Sequence, residues 1–280
     1  MCRWMAYRGA PLLASELVLH PRRSIVAQSL DSPLGAETVN GDGFGFGWYP
    51  EPSEGGRPGV FRSIEPAWHD LNLRELTEVT RSPLFFCHVR AAAGPPIQQT
   101  NCHPFRHENW LFMHNGTIAE FGRVKRDLVM AVAPELFPSI QGTTDSEVLF
   151  HLALTLGLQQ DPIAAMQLTI GAVETVGRSH GVRFPWQGTV AVSDGATIWA
   201  FRYSTQGRTR SLFHSADIGT LREMYPDVER LHLFSDEAHV VVSEPITDLP
   251  GSFIEVPEAS LVVLDGSGYR QQAFNPSAIG

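Results

Sequence analysis

Apolar runs of five to eight residues, broken by glycine and turn-forming residues, occupy the first half of the chain at 2–7, 44–49, 84–91 and 110–114. Runs of that length and spacing predict antiparallel strands. The segment 50–58, with Gly55 and Gly56, reads as an exposed hairpin loop or an insertion, and 94–104 as a long irregular connection. In the middle the apolar period lengthens to that of helices, over 121–132, 144–158 and 162–178. Thr144 followed by Glu147 fits a capping box, which puts Asp145 in a first turn, where the helix dipole favours an ionised carboxylate. Strand-like runs return at 189–193, 197–203, 210–214, 238–244 and 260–264, with a turn at Asp194-Gly195. Strands, then helices, then strands predict α+β layering. No internal repeat or low-complexity linker divides the chain, so one domain is expected.

Composition narrows the function. With 280 residues, 43% of them hydrophobic, the chain can bury an ample core. A net charge of -9 with no Lys/Arg-rich run argues against nucleic acid as a partner. No apolar run approaches the roughly 20 residues of a membrane span, and Glu16 interrupts the one around Leu12 to Leu19. No membrane association is expected. Three cysteines, Cys2, Cys87 and Cys102, do not form a disulfide framework, so a cytoplasmic location is expected. Cys87-His88 and Cys102-His103 invite a zinc reading, but neither has CxxC spacing, and strand alternation would point adjacent residues to opposite faces. No metal and no organic cofactor is expected.

Chemistry concentrates at a few positions. Removal of Met1 would leave Cys2 with a thiol and a free α-amine that titrates near pH ~8, a nucleophile carrying its own base. A small buried residue at a strand start is the plainer reading of Cys2. In His114-Asn115-Gly116-Thr117, a carboxamide beside a glycine N–H could donate twice to an oxyanion, whereas the dipeptide alone is most often a hairpin turn. The same residues fit an N-glycosylation sequon, a reading discarded for a cytosolic chain. Arg90 ends a strongly apolar run and has the shape to grip a carboxylate. Asp145 could pair an ammonium, so the two could hold an amino-acid headgroup. Capping and surface charge are the alternatives. Asn40-Gly41-Asp42-Gly43-Phe44-Gly45 lacks the ending of a phosphate loop and reads as tight backbone next to a site.

Taken in order, Met1-Cys2-Arg3, the Asn40 run, His88-Val89-Arg90-Ala91-Ala92, Asn101-Cys102-His103-Pro104-Phe105, His114-Asn115-Gly116 and Thr144-Asp145-Ser146-Glu147 resemble the class II glutamine amidotransferases. Weaker echoes fall at Val192-Ser193-Asp194-Gly195 and Ser243-Glu244-Pro245. Arg23-Ser24-Ile25 to Gln28-Ser29 is most similar to the stand-alone group that includes the γ-glutamyl hydrolase of ergothioneine synthesis and the glutathione-degrading amidotransferase subunit.

The resemblance implies a four-layer αββα N-terminal-nucleophile hydrolase sandwich of two antiparallel sheets, forming a single domain over 2–280 once Met1 is removed. It implies Cys2 as nucleophile, Asn115 and Gly116 as oxyanion hole, Arg90 and Asp145 as binders of the α-carboxylate and α-ammonium, and His103 in the pocket wall. Asn40 would help position the Cys2 amine. The run Ala91-Ala92-Ala93-Gly94 departs from members with an aromatic and hydroxylated run there. The expected activity is cleavage of a small-molecule γ-glutamyl amide, with a peptidase or synthase subunit as an expected protein partner. The alternatives are a glutaminase subunit feeding ammonia to a separate synthase, or a γ-glutamyl-binding module without catalysis.

Overall fold

The computed structural model describes residues 2–34, 38–51, 56–92, 94 and 96–277. Met1, Ala93 and residues 52–55 of the predicted 50–58 loop lie outside them. The chain opens with β1 (Arg3–Leu13), passes two short helices, α1 (Ser15–Val18) and α2 (Ile25–Leu30), and enters β2 (Phe44–Trp48) and β3 (Gly59–Ser63). Helix α3 (Leu71–Val79) precedes β4 (Arg81–Val89), and β5 (Phe105–His107) precedes β6 (Trp110–Ile118). The helical middle is α4 (Phe121–Met130), α5 (Asp145–Thr155) and α6 (Pro162–Ser179). Then come β7 (Trp186–Ser193), β8 (Ile198–Ser204), β9 (Phe213–Ser215), α7 (Ile218–Met224), β10 (His239–Val242), β11 (Phe253–Glu255), β12 (Ser260–Asp265) and β13 (Gly268–Ala273).

Two antiparallel sheets result, one ordered β11-β9-β10-β1-β4-β2-β3 and the other β13-β12-β8-β7-β6-β5. Period-two alternation explains how they stack. In β1, Trp4 and Ala6 join a cluster with Leu111, Met113, Ala191 and Val262 of the opposite sheet, whereas Met5 and Tyr7 pack outward with Leu17, Ile25, Leu73 and Leu221 from the short helices. On the far side, Phe112 and Val190 pack against Leu128, Phe150 and Ile170 from α4, α5 and α6. Helix, sheet, sheet, helix is the expected four-layer α+β architecture.

The differences from the sequence reading are local. β1 runs six residues beyond its predicted end, because β4 pairs with it as far as Leu13↔Arg81 after an irregularity between Arg8 and Leu12. β3, for which the apolar pattern gives no strand, follows the 50–58 segment and pairs with β2 from Phe44↔Ser63 to Trp48↔Gly59, so that segment connects a hairpin. The strand predicted at 210–214 is confined to Phe213–Ser215. Asn115-Gly116 is no turn, because β6 continues through it and pairs Asn115↔Thr189 and Gly116↔Gly188. Half of the predicted capping box forms. Thr144 Oγ1 accepts from Glu147 N at 3.2 Å, but the Glu147 carboxylate turns to Gln141 N and Gly142 N at 2.9 and 2.6 Å.

Candidate active site

Strand parity brings the site together. In β1 the inward positions are Trp4 and Ala6, in β4 Leu84 and Phe86, and in β6 Leu111 and Met113. Continuing the β1 and β6 series by two places gives Cys2 and Asn115, and continuing the β4 series by four, past His88, gives Arg90. These three line one cavity of about 330 Å³. Gly116, His103 and Asp145 line it too, joined by His114, Thr117, Phe121 and Arg210. Six of the seven sequence-predicted site residues therefore meet in one place. A larger cavity of about 530 Å³, bounded by Arg57, Arg62, Arg106 and His151, contains none of them.

Each side chain has its own support. The Cys2 thiol donates to Ala91 O at 3.6 Å, and Arg3 Nη1 holds Cys2 O at 2.9 Å. In the chain that retains Met1, burial pushes the thiol above its ordinary value, against the pull of Arg90, while Asp145 adds to the push. Arg90 is buried. Its backbone N–H donates to Gly43 O at 2.8 Å, and its guanidinium donates to Asp42 O and Pro96 O at 3.4 and 3.3 Å. Asp42 closes the clamp by accepting from Ala92 N at 2.7 Å. Here the glycine run is tight backbone beside the site: Gly43 sits at φ +108°, and a Cβ there would come within 2.6 Å of Ser63 O. Asp145 accepts from Ile118 N at 2.9 Å and Ser146 N at 2.8 Å, which ties the start of α5 to the end of β6. Among the described residues the Asn115 carboxamide makes no hydrogen bond, leaving its N–H groups available to a ligand.

Three histidines stand around this centre in neutral form. His88 and His103 stack with ring centroids 4.2 Å apart. Burial pushes His88 down to about 3 and His103 well below its usual range, and His114 falls to about 4 for the same reason. His114 Nδ1 meets Ser146 Oγ at 2.9 Å. Strand alternation separates the Cys-His doublet as expected, with Cys87 in the outer core and His88 against His103.

Asn40 stands apart from the cavity lining. It is fully buried and donates to Gln28 O and Ser32 Oγ at 3.3 and 3.1 Å. Gln28 in turn donates to Glu244 O at 3.2 Å. The Glu244 carboxylate, itself fully buried, takes Arg3 Nε at 3.0 Å and Arg23 Nη2 at 2.7 Å. This connected network ends on the Cys2 carbonyl. The motifs around Arg23 and Glu244 hinted at it in sequence, but its members are too far apart in the chain for spacing to reveal their contact. Arg210 was missed altogether, since nothing around it in sequence marks a site.

A cysteine, two potential oxyanion donors, a cation and a carboxylate in one cavity form the constellation of an amide-cleaving acyl-transfer enzyme. A family model described as "Glutamine amidotransferases class-II" matches residues 19–274, and the chain belongs to that family. The match holds every predicted site residue except Cys2. The chain is 36% identical over 293 residues to the probable glutamine amidotransferase DUG3 of Saccharomyces cerevisiae, an alignment spanning 94% of this chain and 82% of that protein. It is 27% identical over 265 residues to the gamma-glutamyl-hercynylcysteine sulfoxide hydrolase of Mycolicibacterium smegmatis, with 94% and 95% covered. Among solved structures, a glutamine aminotransferase class-II domain protein from Silicibacter pomeroyi superposes with a TM-score of 0.73 at 30% identity, covering 99% of this chain and all of that one. The glutamine phosphoribosylpyrophosphate amidotransferase of B. subtilis shares the fold at a TM-score of 0.65 and 16% identity, with 99% of this chain matching 50% of that one. Among the described residues, no helix is long and apolar enough to cross a membrane.

Proposed function

We propose that the protein hydrolyses a γ-glutamyl amide through Cys2, exposed as the amino terminus when Met1 is removed. The observation that carries this reading is the meeting of Cys2, Arg90, Asn115, Gly116 and Asp145 around one cavity. Arg90 and Asp145 hold the substrate's α-carboxylate and α-ammonium, and His103 packs the wall beneath. Burial keeps that histidine neutral, so it adds no charge beside Arg90.

The freed α-amine of Cys2 takes the thiol proton, and the thiolate adds to the γ-carbonyl carbon. The carboxamide of Asn115 and the N–H of Gly116 receive the oxyanion. Collapse breaks the C–N bond, and the amine departs with the proton held by the α-ammonium. Water then adds to the thioester while the α-amine accepts its proton, the C–S bond breaks, and the γ-carboxylate leaves as the thiol is restored. Asn40 acts at a distance, through Gln28, Glu244 and Arg3, in fixing the backbone of Cys2.

Intact mass before and after incubation with a diazoketone analogue of glutamine, followed by peptide mapping, tests the proposal. The expected result is loss of Met1 and one adduct on Cys2, with no adduct and no turnover in Cys2→Ala. Turnover that survives Cys2→Ala would overturn the nucleophile assignment.

A further inference from the structure

The cavity around Cys2 adjoins another. A space of about 390 Å³ shares Asn115 and Arg210 with it and continues between Arg3, Arg202, Thr209 and Ser211. Neither Arg90 nor Asp145 lines this second space. A substrate whose α end lies between Arg90 and Asp145, and whose γ-carbonyl lies between Cys2 and Asn115, therefore has its departing amine directed past Asn115 toward Arg210.

The cations along that path differ in one respect. Arg3 is neutralised by Glu244 at 3.0 Å, and Arg202 by Glu255 at 2.7 Å. Arg210 has no such partner: among the described residues its side chain makes no ion pair and no hydrogen bond, and its Nε is buried. A half-buried guanidinium without a counter-charge is costly to maintain, and the neighbouring Arg3 adds repulsion. The geometry points to Arg210 as the acceptor of a carboxylate on the leaving amine. In a γ-glutamyl amino acid or short peptide, the group that Arg210 receives is the C-terminal carboxylate of the departing amine. The proposal rests on the reading of Cys2 as the nucleophile that cleaves a γ-glutamyl amide.

The test uses substrate pairs that differ only in one charge: γ-glutamyl-alanine against γ-glutamyl-alaninamide, and γ-glutamyl-alanyl-glycine against its carboxamide. The wild-type protein should favour the acid of at least one pair by about 10- to 100-fold in kcat/KM, the worth of a charge-assisted hydrogen bond. The pair that shows the preference reports how far beyond the scissile bond the carboxylate sits. Arg210→Gln should bring that ratio to within about threefold of unity, and Arg210→Lys should keep part of it. Adduct formation on Cys2 with the diazoketone verifies that each variant retains a built site. A wild-type ratio near one overturns the proposal, as does a preference that survives Arg210→Gln. So does an equal loss on acid and amide, which would make Arg210 a stabiliser of the Cys2 thiolate. In these three cases the amides are still cleaved and only the role of Arg210 fails. If no γ-glutamyl amide is cleaved and Cys2 is not labelled, the nucleophile reading fails and takes this one with it.

Discussion

Two Asn-Gly pairs, identical as dipeptides, have opposite fates in this molecule. Asn40-Gly41 lies in the loop before β2, and the Asn40 amide is spent on Gln28 O and Ser32 Oγ. Asn115-Gly116 lies within β6 and leaves its amide facing the cavity of Cys2. The local sequence is the same and the surroundings decide. A carboxamide whose donors are already satisfied can build structure, and one left open can receive charge during a reaction.

The largest effect that would break this contrast is catalytic. Asn115→Ala should lower kcat by about 10²–10³-fold, the usual cost of one oxyanion donor, and leave the melting temperature close to wild type. A loss of only a few-fold would return Asn115 to a structural role and remove the distinction from Asn40.

Acid sensitivity should belong to the Asn115 side. His88 and His114 titrate near pH ~6.5 in an unfolded chain, but burial holds them to about 3 and about 4 in the folded one. Between those values the unfolded state binds more protons, so stability falls as pH drops. It is fully present above pH ~6.5 and is lost at about 1.4 kcal/mol per pH unit for each histidine as the folded values are approached. Urea titrations at pH 7, 6 and 5 measure that slope, and His114→Gln should flatten it. An unchanged slope would show that His114 is not held neutral by burial.

Asn40→Ala should act on stability first. Removing its amide strips partners from Gln28 O and Ser32 Oγ at a cost of about 1–3 kcal/mol, read as a shifted denaturation midpoint. Turnover per folded molecule should fall only a few-fold, since Asn40 reaches Cys2 through three intervening side chains. A 100-fold loss of kcat in a stably folded variant would mean direct contact with the Cys2 amine.

Much of this site was legible because it depends on parity and local capping. The inward series in β1, β4 and β6 predicts which face Cys2, Arg90 and Asn115 share, and Thr144 announces the first turn that carries Asp145. What stayed hidden depends on distant partners. β13 has three consecutive exposed polar residues, Arg270, Gln271 and Gln272, and owes its extended form to β12. The Glu244 network joins residues more than 200 positions apart, as Arg3 and Glu244 show. Arg210 was hidden for the opposite reason, since its interest lies in lacking a partner, and no pattern of neighbours in sequence reveals that.

The two glycines sharpen the same contrast at the smallest scale. A Cβ on Gly116 would come within 2.5 Å of Gly188 Cα, which is backbone of the paired strand, and of His114 Nε2. Relief there requires β6 and β7 to move, and Asn115 moves with them. A Cβ on Gly41 would meet Trp68 Cη2 at 2.8 Å, the far end of a side chain that is only partly buried. Gly116→Ala should therefore cost about 1–3 kcal/mol as an overpacked core does and lower kcat as well. Gly41→Ala should cost about 1 kcal/mol or less, because the obstacle is a side chain that can turn aside. Thermal melts of the two variants, run beside their kcat values, decide the matter. Equal losses in both would mean that the Asn40 loop is as constrained as the strand, and that its contribution to the site is as direct as that of Asn115.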